Sequence, residues 1–160
     1  MPTLSIIGGG TGGNLLAARL LETADDGQRL HVMLIEARGR AGPRLREVVR
    51  DAERVARGAF LSRLRGEATT ISGAPGGRVR VVMRSGRTLD VDRAVILTGS
   101  VAARSLETLD VDGVHKLPSE GDLGELRLAV SALASVLIAA MRVRPTGREA
   151  HIRQGRPAPA

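Results

Sequence analysis

The chain has no cysteine, tyrosine or tryptophan, one phenylalanine (Phe60), and one lysine (Lys116) among 24 basic residues. Without cysteine there are no disulfides, no thiolate nucleophile, no thiolate-ligated metal and no CxxC redox pair. Without tyrosine no phenol can act as a general acid. With Phe60 as its one stacking ring, the chain lacks the aromatic platforms on which single-stranded nucleic acid stacks. The formal net charge is +7, which could draw the chain to nucleic acid or an anionic membrane. The arginines, however, are spread along an Ala- and Gly-rich chain rather than clustered, which reads as a composition bias and argues against nucleic acid. His31, His115 and His151 share no ligand spacing, so no metal site is expected. The pairs Asp25-Asp26 and Asp90/Asp92 read as solvated loop residues. The N-terminus has no basic stretch followed by a long apolar one. The longest uncharged run, Leu128 to Met141, reads as too short to span a bilayer. These features predict a cytoplasmic protein with no membrane partner. A length of 160 residues predicts one domain, taken as residues 1–143, with a loose Pro- and Gly-bearing tail at 144–160.

What the chain does have stands near its start, in SIIGGGTGGNLLAARLLE. The apolar run Leu4–Ile7 predicts a strand. Leu15, Leu16, Ala18, Leu20 and Leu21 fall on one broad face of a helix predicted from Asn14 to Thr23. A second strand, His31–Ile35, ends in Glu36. Between the first strand and the helix, Gly8, Gly10 and Gly13 satisfy G-x-G-x-x-G. In such a motif the first glycine allows a tight turn, the second lets the backbone approach a pyrophosphate, and the third lets helix and strand pack closely. The phosphates then sit on the helix N-terminus, where free N–H groups and the helix dipole favour an anion. Glu36 lies about 20 residues past the glycines, where an acidic residue accepts hydrogen bonds from a ribose. A carboxylate there repels a 2′-phosphate and disfavours NADP.

Helical spacing of Leu45, Val48, Val49, Ala52, Val55, Ala56, Ala59 and Phe60 predicts a helix over 45–64, stopped at Gly66. Three short strands, 67–71, 78–83 and 88–91, separated by SGAPGG and SGR, predict an antiparallel meander. A buried strand, Ala94–Leu97, runs into Thr98-Gly99-Ser100. A loop-rich stretch reaches Gly121, and a helix follows from about Leu123 to Ala134, with Ser135–Ala139 continuing it or forming another strand.

The glycine loop with Glu36, the loop EARGRAGPR, the meander and the strand end VILTGS together resemble the FAD-binding part of the two-dinucleotide-binding-domain flavoproteins, the FAD/NAD(P)-binding oxidoreductases. The resemblance covers residues 4 to 100. It implies an α/β Rossmann-like FAD-binding domain: a parallel sheet with helices on both faces plus a three-stranded antiparallel meander. It implies FAD as cofactor ahead of NAD. Gly8, Gly10, Thr11, Gly12 and Gly13 would cradle the pyrophosphate and Glu36 would hold the adenosine ribose. Arg44 would lie near the phosphates, Ala68 would meet adenine through its backbone, and Thr98 and Gly99 would pack close to the pyrophosphate. The activity implied is flavin-mediated electron transfer, with no residue standing out as catalyst.

The departures are as specific. Pro43 stands where the family has a second glycine, and Leu97 where it has alanine. The segment that covers the flavin ring is missing between Gly42 and Leu45. Residues 123–143 look like the start of a second, NAD-binding half. There SVLI would be a strand, but the residues after it read AAMRVR instead of a second glycine motif. A partner chain or a second copy would then have to cover the flavin. Two alternatives stand beside the flavoprotein reading: an inactive, shortened remnant of a larger flavoprotein, and an arginine-rich module gripping another phosphate, nucleic acid included.

Overall fold

The computed structural model describes residues 1–37, 41–97, 106–108, 112–116 and 123–142. The tail at 144–160 lies outside them. The first strand, β1 (Thr3–Ile7), is followed by α1 (Thr11–Thr23), β2 (Leu30–Glu36) and α2 (Pro43–Val55). Strand β1 pairs in parallel with β2, Leu4 opposite Val32 and Ile6 opposite Leu34. Its alternation sorts the core: Leu4 and Ile6 belong to one apolar cluster and Ile7 to another. A strand buried on both faces reads as a near-continuous apolar run, which is why β1 and β2 were legible.

The helix expected over 45–64 is shorter and is followed by a strand. Helix α2 ends at Val55, and β3 (Ala59–Arg65) pairs in parallel with β2, with Arg63 opposite Leu34. Ala59 and Phe60 extend the helical spacing only by coincidence of apolar residues, whereas Gly58 marks the break. A Cβ on Gly58 would stand 1.5 Å from the carbonyl oxygen of Asp25, and the Gly58 carbonyl accepts a 2.7 Å hydrogen bond from the Leu30 N–H. Glycine at that point lets the return from α2 press against the turn leading into β2.

The meander is present as β4 (Ala68–Ala74), β5 (Arg78–Met83) and β6 (Thr88–Val91), antiparallel throughout. Gly76 and Gly77 take φ of 76° and 70° in the first connection, and Gly86 takes 85° in the second, conformations that glycine adopts without a Cβ penalty. The chain then returns to the parallel sheet as β7 (Arg93–Ile96), beside β1. Asp92 secures the return: its N–H donates to the Thr3 carbonyl (2.9 Å) and its carboxylate accepts from the Thr3 N–H (2.7 Å). Two short strands fall where loop was expected. β8 (Glu107–Thr108) joins the edge of β4 in parallel, and β9 (Val114–Lys116) joins β7. The parallel sheet therefore has the order β3-β2-β1-β7-β9.

The last helix, α3 (Leu123–Arg142), is continuous, so Ser135–Ile138 form part of it and not a strand. Val130, Ala134, Leu137 and Ile138 bury one face of α3 against Leu16, Leu20 and Val95. That burial satisfies helical spacing. By length and composition α3 meets the requirements of a membrane span, more than the uncharged run alone suggested. Val130, Ala134, Leu137 and Ile138 serve the core, while Leu123, Leu128 and Val136 are exposed.

A Rossmann-like parallel sheet with helices and a meander is thus present, as expected. Among the described residues α1, α2 and α3 all pack on one face, with Ala18 and Leu21 of α1 against Val49 and Ala52 of α2. The meander covers the other face, placing Ile71, Val79, Val81, Met83 and Val91 on Ile7, Ile35, Ala94 and Ile96. Its inward-facing residues supply the apolar layer that a second set of helices would have provided.

Gly58→Ala should destabilise the chain by about 1–3 kcal/mol, because the methyl group collides with backbone and not with a movable side chain. Gly27→Ala, whose Cβ would meet only Asp25 Oδ1 at 3.5 Å, should change stability by about 0.5 kcal/mol or less. Urea unfolding followed by far-ultraviolet circular dichroism compares the two; equal midpoints would show that the turn yields to the methyl group.

Candidate functional site

The carboxyl ends of β1, β2 and β7 lie side by side, tied by hydrogen bonds that extend past the strands. Gly8 N–H donates to the Ile35 carbonyl (3.0 Å) and Leu97 N–H to the Ile7 carbonyl (2.8 Å). From β1 the chain winds outward to β2 and β3, then crosses back to β7 on the other side of β1. The reversal falls between β1 and β7, and in open α/β sheets ligands bind in the crevice beyond the strand ends at such a point.

The glycine loop fills this point. Gly8 has φ of 127°, in the region open to glycine alone at low cost. A Cβ on Gly13 would stand 1.8 Å from the Gly8 carbonyl oxygen, so the missing side chain is what lets α1 lie against the end of β1. A Cβ on Gly10 would meet nothing within 4 Å, leaving the approach from outside clear. Gly12 packs against Leu97 and Leu126, where a Cβ would lie 3.4 Å and 3.6 Å from their methyl carbons. Helix α1 begins at Thr11, three residues before its expected start, with Gly10 as an N-cap that offers no side chain. The Asn14 N–H donates to the Gly10 carbonyl (3.2 Å). The N–H groups of Thr11, Gly12 and Gly13 precede that first helical bond and have no intrahelical acceptor. Free donors at the positive end of a helix, behind a loop without side chains, fit a pyrophosphate.

Gly9 and two side chains that the motif does not name complete the arrangement. A Cβ on Gly9 would stand 2.5 Å from Glu36 Cγ, so the second of three consecutive glycines admits the Glu36 side chain against the loop. Asn14 is fully buried. Its Nδ2 donates to the carbonyls of Gly9 (2.8 Å) and Gly10 (2.9 Å), bracing the loop from behind. Its Oδ1 accepts from both terminal nitrogens of Arg63 at 3.3 Å. Arg63 Nη1 also donates to Glu36 Oε1 at 2.8 Å. Glu36 and Asn14 are thereby linked through one guanidinium. Asn14 carried a sequence signal, as an amide inside an otherwise apolar helical face. Arg63 carried none, because the helix expected over its position hid its alignment beside Leu34.

Of the other expected site residues, Ala68 opens β4, two residues after Gly66, whose N–H donates to the Glu36 carbonyl (2.9 Å). Its side chain belongs to the core between the two sheets. Arg44 is exposed on the first turn of α2. Thr98 and Gly99 lie outside the described residues. Beside Glu36 opens a cavity of about 250 Å³ lined by Glu36, Ala41, Arg46, Arg50, Glu53 and Arg63. Among the described residues no group of acidic or histidine side chains is placed to hold a metal ion. His31 stacks on Phe60 (ring centroids 4.4 Å apart) and hydrogen-bonds Ser62 Oγ at 2.7 Å, and burial lowers its pKa. Burial, with Arg93 nearby, also lowers the pKa of His115.

Residues 6–71 match the family model of the NAD(P)-binding Rossmann-like domain. The match runs from β1 through the glycine loop, Glu36 and β3 into the meander. Among solved structures, the GidA-related protein from Thermus thermophilus has a similar fold: TM-score 0.58, 14% identity, 87% of this chain and 99% of that one covered. The atypical thioredoxin reductase from Desulfovibrio vulgaris Hildenborough (TM-score 0.46, 18% identity) matches 62% of this chain, and the tetracycline destructase Tet(51) (TM-score 0.47, 15% identity) matches 66%. This chain spans 36% and 40% of those two. No curated protein sequence matches.

Asn14→Leu keeps the branched outline of the side chain but strands the Gly9 carbonyl, leaves the Gly10 carbonyl only its backbone bond and removes an acceptor from Arg63. It should lower stability by about 1–3 kcal/mol, read as a shift of the urea midpoint with the unfolding slope unchanged. An unshifted midpoint would mean that the loop stands without its brace.

Proposed function

We propose that the Rossmann-like domain matched over residues 6–71 binds a dinucleotide on its glycine loop, and that the dinucleotide is FAD. One observation carries the reading: three free N–H groups at the start of α1 face a loop without side chains, at the point where the sheet reverses direction. Gly8, Gly10, Thr11, Gly12 and Gly13 would hold the pyrophosphate. Glu36, at the end of β2, would accept from the adenosine ribose, with Ala68 alongside.

FAD is favoured over NAD by the chain's course. A three-stranded meander separates β3 from β7 where a plain nicotinamide-binding domain would continue with βα units, and this is the pattern of the flavoproteins the sequence resembles. When bound, FAD would supply electron transfer; the chain's own residues would bind and orient it. No side chain in the described site is placed as a general acid or base. The short connection between Gly42 and Leu45 leaves the flavin ring without a cover of the family's kind. We therefore infer that a partner chain or a second copy of this one covers it.

Purified protein should take up added FAD and show flavin absorption, easily seen in a chain without tryptophan or tyrosine. Glu36→Arg removes the ribose acceptor and should weaken FAD by about 1–3 kcal/mol, or roughly fivefold to 150-fold in Kd. Gly10→Val should weaken it further by filling the open approach. A protein that stays colourless with excess FAD, or titrations in which both variants equal the parent chain, would overturn the proposal.

A further inference from the structure

Helix α3 gives one face to the core and leaves the other open. Leu128 is 74% exposed and Val136 57% exposed, and Ala132, Ser135 and Ala139 are exposed with them. Their spacing puts them on one stripe of the helix. No charged residue stands between Arg127 and Arg142. The Ser135 hydroxyl donates to the Ser131 carbonyl (3.2 Å), so it asks nothing of a partner. An apolar stripe left in water on a helix that already serves the core marks an interaction surface.

The charges decide the occupant. The chain carries a net charge of +7, so two copies repel each other over most of their surface. The α3 stripe has no charge of its own, and approach costs least there. At its ends the signs differ: Glu125 stands in the first turn and Arg142 in the last. Antiparallel packing of two such helices brings the acidic end of each to the basic end of the other, with the helix dipoles opposed. Parallel packing would set like against like. The register that matches Glu125 with Arg142 places Leu128 over Ala139, Ala132 over Ser135 and Val136 over Ser131 of the second copy. Each large side chain then meets a small one, and the helices can interlock. Arg142 also pairs with Asp25 of its own chain, and exposed end charges contribute little. They set the direction, while the apolar stripe supplies the attraction. A bilayer fits this face less well. A helix lying on a membrane needs a basic face opposite its apolar one, and the opposite face of α3 is buried on Leu16, Leu20 and Val95.

We propose that the outward face of α3 docks on the same face of a second copy of this chain, forming an antiparallel twofold dimer. The contact is isologous, each copy giving and receiving the same residues. It does not depend on what the glycine loop binds. One helix stripe buries less than a standard interface, so the dimer forms reversibly.

Sedimentation equilibrium of the full chain without nucleotide tests this, and self-association in the micromolar range is expected. Leu128→Glu combined with Val136→Glu should weaken it at least about tenfold. The far-ultraviolet circular dichroism should not change, because both side chains are exposed. The chain has no cysteine, so introduced thiols report the register. An equimolar mixture of Ala132→Cys and Ser135→Cys should oxidise to a mixed disulfide. Ala139→Cys alone should not, because its two copies would stand about 16 Å apart along the helices, beyond the reach of a disulfide. A monomer at every concentration, association that survives the double glutamate variant, or ready cross-linking of Ala139→Cys alone would overturn the proposal. So would a monomer that floats with phosphatidylserine vesicles and no longer does so as Leu128→Glu, a result that gives this face to a membrane.

Discussion

The site depends on the close approach of α1 to the end of β1. With no side chain at Gly13, the helix start lies against the Gly8 carbonyl, and any Cβ would fall 1.8 Å from that oxygen. The approach aims the first turn of α1 at the crevice and keeps its free N–H groups at the strand ends. It also brings Leu16, Ala17 and Leu20 onto Leu4, Ile6, Val32 and Leu34, joining the loop geometry to the main core. One missing methyl group thus serves core packing and the placement of the helix start together, which is why this glycine is more than a turn former.

A polar network carries the constraint outward. Asn14 sits in the core with its amide nitrogen and oxygen both satisfied, as a buried amide must be if it is not to cost stability. The guanidinium of Arg63 joins it to Glu36. The Glu36–Arg63 pair is partly open to water, with side chains 19% and 36% exposed, and a pair so placed contributes at most about 1 kcal/mol. Its importance lies in position and charge. It holds the carboxylate at the edge of the crevice and offsets its charge there.

The two layers flanking the parallel sheet have different tasks. The helical layer shapes the glycine loop and, through α2, the basic cavity. The meander faces the opposite side and closes the second core over Ile7, Ile35, Ala94 and Ile96. It also decides the topology. By leading the chain from the β3 edge back to β7, anchored by Asp92 on Thr3, it sets the reversal of direction beside β1 where the crevice opens.

The sequence by itself determined whatever rests on local rules. Strands β1 and β2, the glycine loop, Glu36 at its strand end, and the three meander strands with their Gly-rich turns were legible. Backbone steric limits at glycine and period-two apolar alternation act over a few residues. The tertiary structure decided what those rules leave degenerate. Residues 55–60 satisfy helical spacing and yet divide at Gly58, because the deciding contact is with the Asp25 carbonyl, far away in sequence. The stretch Ser135–Ile138 suits strand or helix, and burial against α1 makes it helix. The placement of all three described helices on one face follows from the meander occupying the other. Above all, Arg63 stands beside Glu36, and Arg46 and Arg50 border the same cavity, only because β3 pairs with β2 and α2 packs over them. A charge relation between residues on separate elements has no period or spacing in the chain, and it exists only once the sheet has formed.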